Sequence, residues 1–261
     1  MLGTDNRPAA VRRMDPIPGQ DVPNSHGCPC HAIDCALCDT LTLPQFRHKP
    51  DLVLKRHYRP KDILCHQGTT AAGLFVLRSG YVKLSTGLPD GRVQGLRLRG
   101  AGQLVGIEAL GFPHYPYTAE AVTEVSACFF LQKDMLRMLE QSPTLSVKIV
   151  SSLGRDLQQI NDIICSLGVM TATERVVAFL LMLTPDDARP EQELPLPLTR
   201  SDMSEMLGLT VETVSRVLSR LIREKIICAP PGRCYFRVLD KSRLEALSGR
   251  ALYPPRLTMT K

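Results

Sequence analysis

The chain has 261 residues, 44% of them hydrophobic, enough for about two domains with cores of their own. Its 32 Lys and Arg against 26 Asp and Glu leave a formal charge of +6, which suits a polyanionic partner without demanding one. The longest apolar run, Val176–Leu183, is eight residues, far short of the ~18 that a membrane-spanning helix needs. The absence of Trp and the 5% aromatic content argue against a stacking platform for single strands. The first 26 residues hold no apolar stretch of the kind a signal peptide uses, so a cytoplasmic location is expected. Thiols there are normally reduced, so nine cysteines point to metal or redox chemistry rather than to disulfides.

Residues 1–27 are polar and dotted with Pro8, Pro16, Pro18 and Pro23, and are predicted to be disordered. Residues 28–50 form a cysteine-rich segment, with Cys28, Cys30, Cys35 and Cys38 inside eleven positions. Four thiols so close suggest a metal site, since thiolates are the soft ligands of iron–sulfur clusters and zinc. Residues 51–140 read as short strands broken by turns, with Asp90-Gly91 as the clearest hairpin signal. The apolar period then changes from 2 to about 3.6. Asp134–Glu140 suits a short helix, and Ser142-Pro143 supplies a cap and first position for a longer one over 141–169.

That long helix carries Leu145, Ile149, Leu153, Leu157, Ile160, Ile164 and Leu167 in one stripe. The stripe could pack on the chain's own strands, or form a two-helix seam between subunits. The seam is favoured, with Leu153, Leu157, Ile160, Ile164 and Leu167 in the interface and Arg155, Asp156, Gln158 and Gln159 facing water. Residues 170–250 begin with a helix opened by Thr171 or Thr173, continue through a Pro185–Pro197 loop, and end in a compact helical unit with a hairpin. Residues 251–261 are a tail. The pattern is α+β.

The segment Leu198–Leu221 carries the strongest signal. Thr199 with Asp202 three residues on makes a capping-box-like pair, and Met203, Met206 and Leu207 give the inner face of a short helix. Gly208 stops it, Leu209 plugs the turn and Thr210 caps the next helix, whose Val211, Val214, Val217, Leu218 and Leu221 point inward. This is the helix-turn-helix plan, with its second helix entering the DNA major groove. Glu212, Ser215 and Arg216 are placed for base edges, and Thr213 and Arg220 for phosphates; Thr199 and Arg200 lie at the start of the first helix. From Leu198 to Arg250 ten Lys/Arg face six Asp/Glu, the basic surplus of a DNA reader. Ile226–Cys228 and Cys234–Val238, around Pro230-Pro231-Gly232, suggest a wing.

A roll of strands, a long helix and a C-terminal winged helix-turn-helix resembles the cyclic-AMP receptor/FNR superfamily of bacterial regulators, over roughly Leu52–Arg250. The segment Leu207–Arg216 is similar to the recognition segment of its oxygen-responsive fumarate-and-nitrate-reduction (FNR) branch. The resemblance implies an N-terminal β-roll like a cyclic-nucleotide-binding jelly roll, a dimerisation helix, and a homodimer on a TTGAT-type palindrome read by Glu212, Ser215 and Arg216. It also implies RNA polymerase as a partner and a transcription regulator, not an enzyme. Nucleotide sensors of this fold use a Gly-Glu-Leu and an Arg-Thr/Ser-Ala segment. Here these read Gly106-Ile-Glu-Ala-Leu110 and Tyr117-Thr-Ala119, with Tyr117 in place of the phosphate-binding arginine, which argues against cyclic AMP.

The FNR branch holds a [4Fe-4S] cluster with three N-terminal cysteines and one from the roll. By resemblance Cys128 is the roll ligand, with Cys30, Cys35 and Cys38, or Cys28 as substitute. The family's spacing is not kept, because Asp39–Lys49 contains no cysteine. Zinc bound by the same thiols is the alternative. A same-fold sensor of a small ligand or nitric oxide, and an iron–sulfur electron carrier, are the other readings. Cys65, Cys165, Cys228 and Cys234 are expected to be small packing residues, and His26 and His31 solvated loop residues.

Overall fold

In the computed structural model, which describes residues 53–249 apart from 186, 191, 231 and 233, the strand-rich stretch forms two antiparallel sheets. One has the order β1 (Leu54–Tyr58), β8 (Val125–Leu131), β3 (Gly73–Ser79), β6 (Leu104–Val105). The other runs β2 (Ile63–Cys65), β7 (Thr118–Ala121), β4 (Val82–Gly87), β5 (Val93–Arg99). Successive strand residues point to opposite faces, so β3 and β8 each serve two cores. Phe75, Leu77, Ala127 and Phe129 face the roll interior with Val82, Leu84 and Ala119. Leu74, Val76, Cys128 and Phe130 face outward into a second core. Asp90-Gly91 makes the expected turn, Gly91 sitting at φ 86° and the Asp90 carboxylate accepting from Arg92 N at 3.0 Å.

The second core is closed by α1 (Gln132–Gln141) and the first turns of α2 (Pro143–Val169). Ser142 Oγ accepts from Leu145 N at 3.3 Å and Pro143 opens the first turn, as the sequence predicts. At 27 residues, α2 runs about 40 Å. Its apolar stripe divides into two parts. Leu145 and Ile149 are buried against Met135 and Met138 of the same chain, whereas Leu153, Leu157, Ile160, Ile164 and Leu167 are all exposed. Asp156 departs from expectation. It does not face water but accepts two hydrogen bonds from Arg99, at 2.9 and 2.6 Å.

The C-terminal unit has its own core, built from α3 (Ala172–Met182), α4 (Arg200–Leu207), α5 (Val211–Arg223), α6 (Lys241–Ala246) and a three-stranded wing. Thr171, not Thr173, caps α3, in a capping box with Glu174. The wing pairs β10 (Ile227–Cys228) with β11 (Tyr235–Val238), and β11 also pairs with β9 (Leu194–Pro195). That edge strand lies inside the stretch expected to be a loop. Two residues carry no periodicity, and Pro195 is tolerated because β9 is at the sheet edge. Cys65 is packed as expected, but Cys165 and Cys234 are exposed and Cys228 is half-buried.

Candidate nucleic-acid interface

The helix-turn-helix is assembled by its caps. Thr199 and Asp202 form a full capping box on α4, with Thr199 N donating to Asp202 Oδ2 at 3.0 Å and Asp202 N to Thr199 Oγ1 at 3.1 Å. Gly208 ends α4 in the left-handed region at φ 61°, where a side chain would be strained and would crowd Leu167. Thr210 then caps α5, its Oγ1 accepting from Thr213 N at 3.2 Å. Each such cap contributes about 1 kcal/mol, so the turn is held by local chemistry as well as by packing.

Val214, Val217, Leu218 and Leu221 bury one face of α5, while Val211 is left exposed at its first turn. The opposite face presents Glu212 and Arg216 to solvent, four residues apart and therefore neighbours, with Ser215 half-buried beside them. Arg216 Nη2 donates to Thr213 Oγ1 at 3.3 Å, which partly pre-orients the guanidinium. Arg220 is held differently, donating from Nε to Glu224 Oε1 at 2.8 Å. Thr199 and Arg200 are both exposed at the start of α4. A row of arginine, serine and glutamate on the first turns of a capped helix can meet base edges, with bidentate guanine recognition by Arg216.

Arg175 is a residue that the sequence reading did not single out. From α3 it donates to Met170 O at 3.1 Å and Leu167 O at 2.8 Å, closing the end of α2, and to Leu207 O at 3.1 Å, the end of α4. One planar fork thus ties the long helix to the helix-turn-helix, which a lysine's single ammonium does not reproduce.

The roll interior also holds more charge than expected. A register shift between Leu84 and Ser85 sets Arg97 and Arg99 opposite Leu84 and Val82, so both arginines share the inward face. Arg99, 3% exposed, binds Asp156 of α2 in a fork. Arg97 lies 3.8 Å from Asp156 and 3.9 Å from Glu108, and burial together with Arg99 lowers its pKa. Tyr117 donates to Glu108 Oε2 at 2.7 Å and accepts from Gly106 N at 2.9 Å. Burial beside Glu108 drives its hydroxyl pKa far up, so it stays a donor.

Cys30, Cys35, Cys38 and Cys28, with His26 and His31, lie outside the described residues. Among the described residues no cluster of three or more His, Cys, Asp or Glu forms a metal site. Cys128 is buried on the outward face of β8, opposite Lys55 of β1, and Val53 packs on the same core. No helix among the described residues is long and apolar enough to cross a membrane.

Two family models match the chain: a cyclic nucleotide-binding domain over residues 55–142 and a Crp-like helix-turn-helix domain over 174–247. The transcriptional activatory protein AadR of Rhodopseudomonas palustris is 32% identical over 84% of this chain and 91% of its own length. The fumarate and nitrate reduction regulatory protein of Salmonella typhimurium is 31% identical over 86% and 93%. The solved structure of FixK2 from Bradyrhizobium japonicum superposes with a TM-score of 0.69 at 27% identity, over 76% of this chain and 98% of that one. The chain therefore belongs to the cyclic-AMP receptor/FNR family of transcription regulators, and has that family's fold. As the sequence reading expected, it is a family of DNA-binding regulators, not of enzymes.

Proposed function

We propose that this regulator acts as a homodimer on a TTGAT-type palindrome and senses oxygen through a [4Fe-4S] cluster. The observation that carries the DNA reading is the row of exposed Glu212 and Arg216 with half-buried Ser215 between them, on a doubly capped helix-turn-helix. The dimer reading rests on α2. Leu153, Leu157, Ile160, Ile164 and Leu167 follow heptad steps of 4 and 3, and among the described residues all five stay exposed. A second copy of α2 buries that stripe and sets two recognition helices one helical turn apart. RNA polymerase is the partner such a regulator addresses in the cytoplasm.

For the cluster, Cys30, Cys35 and Cys38 would supply three thiolates and Cys128 the fourth, with Cys28 as substitute. The fourteen residues between Cys38 and Val53 span up to about 3.3 Å each, ample reach to the outward face of β8. Chain entry at β1, directly beside Cys128, supports this ligand set. When bound, the cluster supplies an oxygen-labile redox centre. Cys128 shares its core with Met135, Leu145 and Ile149, so a change at its sulfur bears directly on the root of α2. Cyclic AMP is not the signal in this reading. Tyr117 and Arg97 already engage Glu108, and Arg97 and Arg99 fill the inward face.

Protein purified without oxygen is expected to be brown and to carry about four iron and four sulfide per chain. Both are expected to fall away in the Cys35→Ser/Cys38→Ser variant. Colourless protein with one zinc per chain would overturn the sensor and leave a zinc-structured N-terminus. Colourless, metal-free protein would leave a sensor of another ligand.

A further inference from the structure

The first helix of the helix-turn-helix is seated on the outer face of the β4–β5 hairpin. Lys83 of β4 donates to Asp202 and lies 3.9 Å from Glu120. Gln94 of β5 donates from Nε2 to Glu205 O at 2.5 Å. Leu98, the cross-strand partner of Lys83, packs with Val122 on the core of the C-terminal unit. Lys83 and Asp202 are both largely buried here. Burial opposes the charge on each, but their mutual contact, joined at Asp202 by two hydrogen bonds from Thr199, outweighs it and holds Lys83 above and Asp202 below its ordinary pKa.

Gly95 lies at the centre of this seam. It is a mid-strand glycine without positive φ, which costs about 0.5–1 kcal/mol relative to alanine and calls for another reason. That reason is close approach. A Cβ at Gly95 would stand 2.6 Å from Met206 Cγ and 3.1 Å from Met206 N, so any side chain pushes α4 away from β5.

The helix-turn-helix is therefore attached at two points. Arg175 fixes its turn to the end of α2. Were that the sole joint, the unit could pivot about Met170, between α2 and α3. The seam with β4–β5 removes the pivot.

We propose that Gly95, Lys83 and Asp202 are positioning residues that fix the distance between the two recognition helices, and so the half-site spacing the regulator accepts. This rests on the dimer-on-palindrome reading given above. None of the three residues is on the DNA-reading face. Their role is read out in spacing preference, which a purely stabilising contact does not govern.

The test is a set of titrations by fluorescence anisotropy, using wild type, Gly95→Leu, Lys83→Glu and Lys83→Arg. The DNA probes are the palindrome, palindromes with one or two base pairs added or removed at the centre, and a single half-site duplex. Wild type is expected to prefer its own spacing by about tenfold or more, because a misplaced second half-site forfeits the gain of tethering. Gly95→Leu and Lys83→Glu are expected to lose most of that preference while binding the single half-site as wild type does. Lys83→Arg keeps the charge opposite Asp202 and should keep the preference. Unchanged spacing preference in both Gly95→Leu and Lys83→Glu overturns the proposal. Should Gly95→Leu fail to melt as a folded protein, the contrast between Lys83→Glu and Lys83→Arg decides by itself. If wild type binds the palindrome no better than the half-site, the dimer reading fails first and takes the proposal with it.

Discussion

Replacing Leu157 by glutamate is expected to leave a folded monomer that no longer grips the palindrome. In the single chain Leu157 is 61% exposed, so the new carboxylate meets water and stability changes little. In the proposed dimer the same position lies in the α2 seam, where two glutamates would be drawn together across the two-fold axis. Burying unpaired charge costs about 3–5 kcal/mol, a loss on the order of 10²–10⁴-fold in association. Sedimentation or light scattering at micromolar protein should therefore report a monomer, with the melting temperature close to wild type. Affinity for a single half-site should persist, while the avidity of two tethered readers is lost. A Leu157→Glu protein that stays dimeric would place the interface elsewhere.

The second large effect is expected at Arg216. Its guanidinium is exposed, shared only loosely with Thr213, and free to take guanine O6 and N7 together. Arg216→Ala should cost about 1–3 kcal/mol per half-site and relax discrimination at the one base pair it reads. Arg220→Ala is expected to behave differently. Because Arg220 is anchored by Glu224 and suits a phosphate, its loss should weaken all duplexes alike and flatten the salt dependence. Binding isotherms on the palindrome, on single-base variants and across a salt series separate the two behaviours. Equal losses on cognate and scrambled DNA in Arg216→Ala would remove this residue from base reading.

Much of the fold is legible from local signals, because caps and turns are written in short stretches. Ser142-Pro143, Thr199 with Asp202, Gly208 and Thr210 all do in space what their spacing announces. The division of the α2 stripe is less legible. Leu145 and Leu157 look alike along the helix, and only the core shared with distant Leu74, Val76 and Leu104 decides which turns are covered. The helix position of Asp156, off the stripe, predicts a solvated carboxylate. Its partner Arg99 is 57 residues away, on a strand whose inward face depends on a register shift that alternation does not reveal.

The seam residues escaped for the same reason. A glycine within β5 does signal a bulge or a close approach, but not which helix approaches. Arg175 looks like one more exposed helical arginine until three carbonyls from two other helix ends converge on it. The tyrosine that replaces an arginine in the roll was readable as a loss. That Tyr117 and Arg97 both hold Glu108 was not, since the three residues come from separate segments.

The central claim is that Glu212, Ser215 and Arg216 of two subunits read one palindrome. The most direct measurement is a titration of purified protein, prepared without oxygen, against a TTGAT-type inverted repeat and a scrambled duplex of equal composition at one stated salt concentration. Two chains per duplex and an affinity for the palindrome about 10³-fold or more above the scramble are expected, the range of sequence-specific DNA readers. Equal affinity for both duplexes, or one chain per palindrome at saturation, would contradict it.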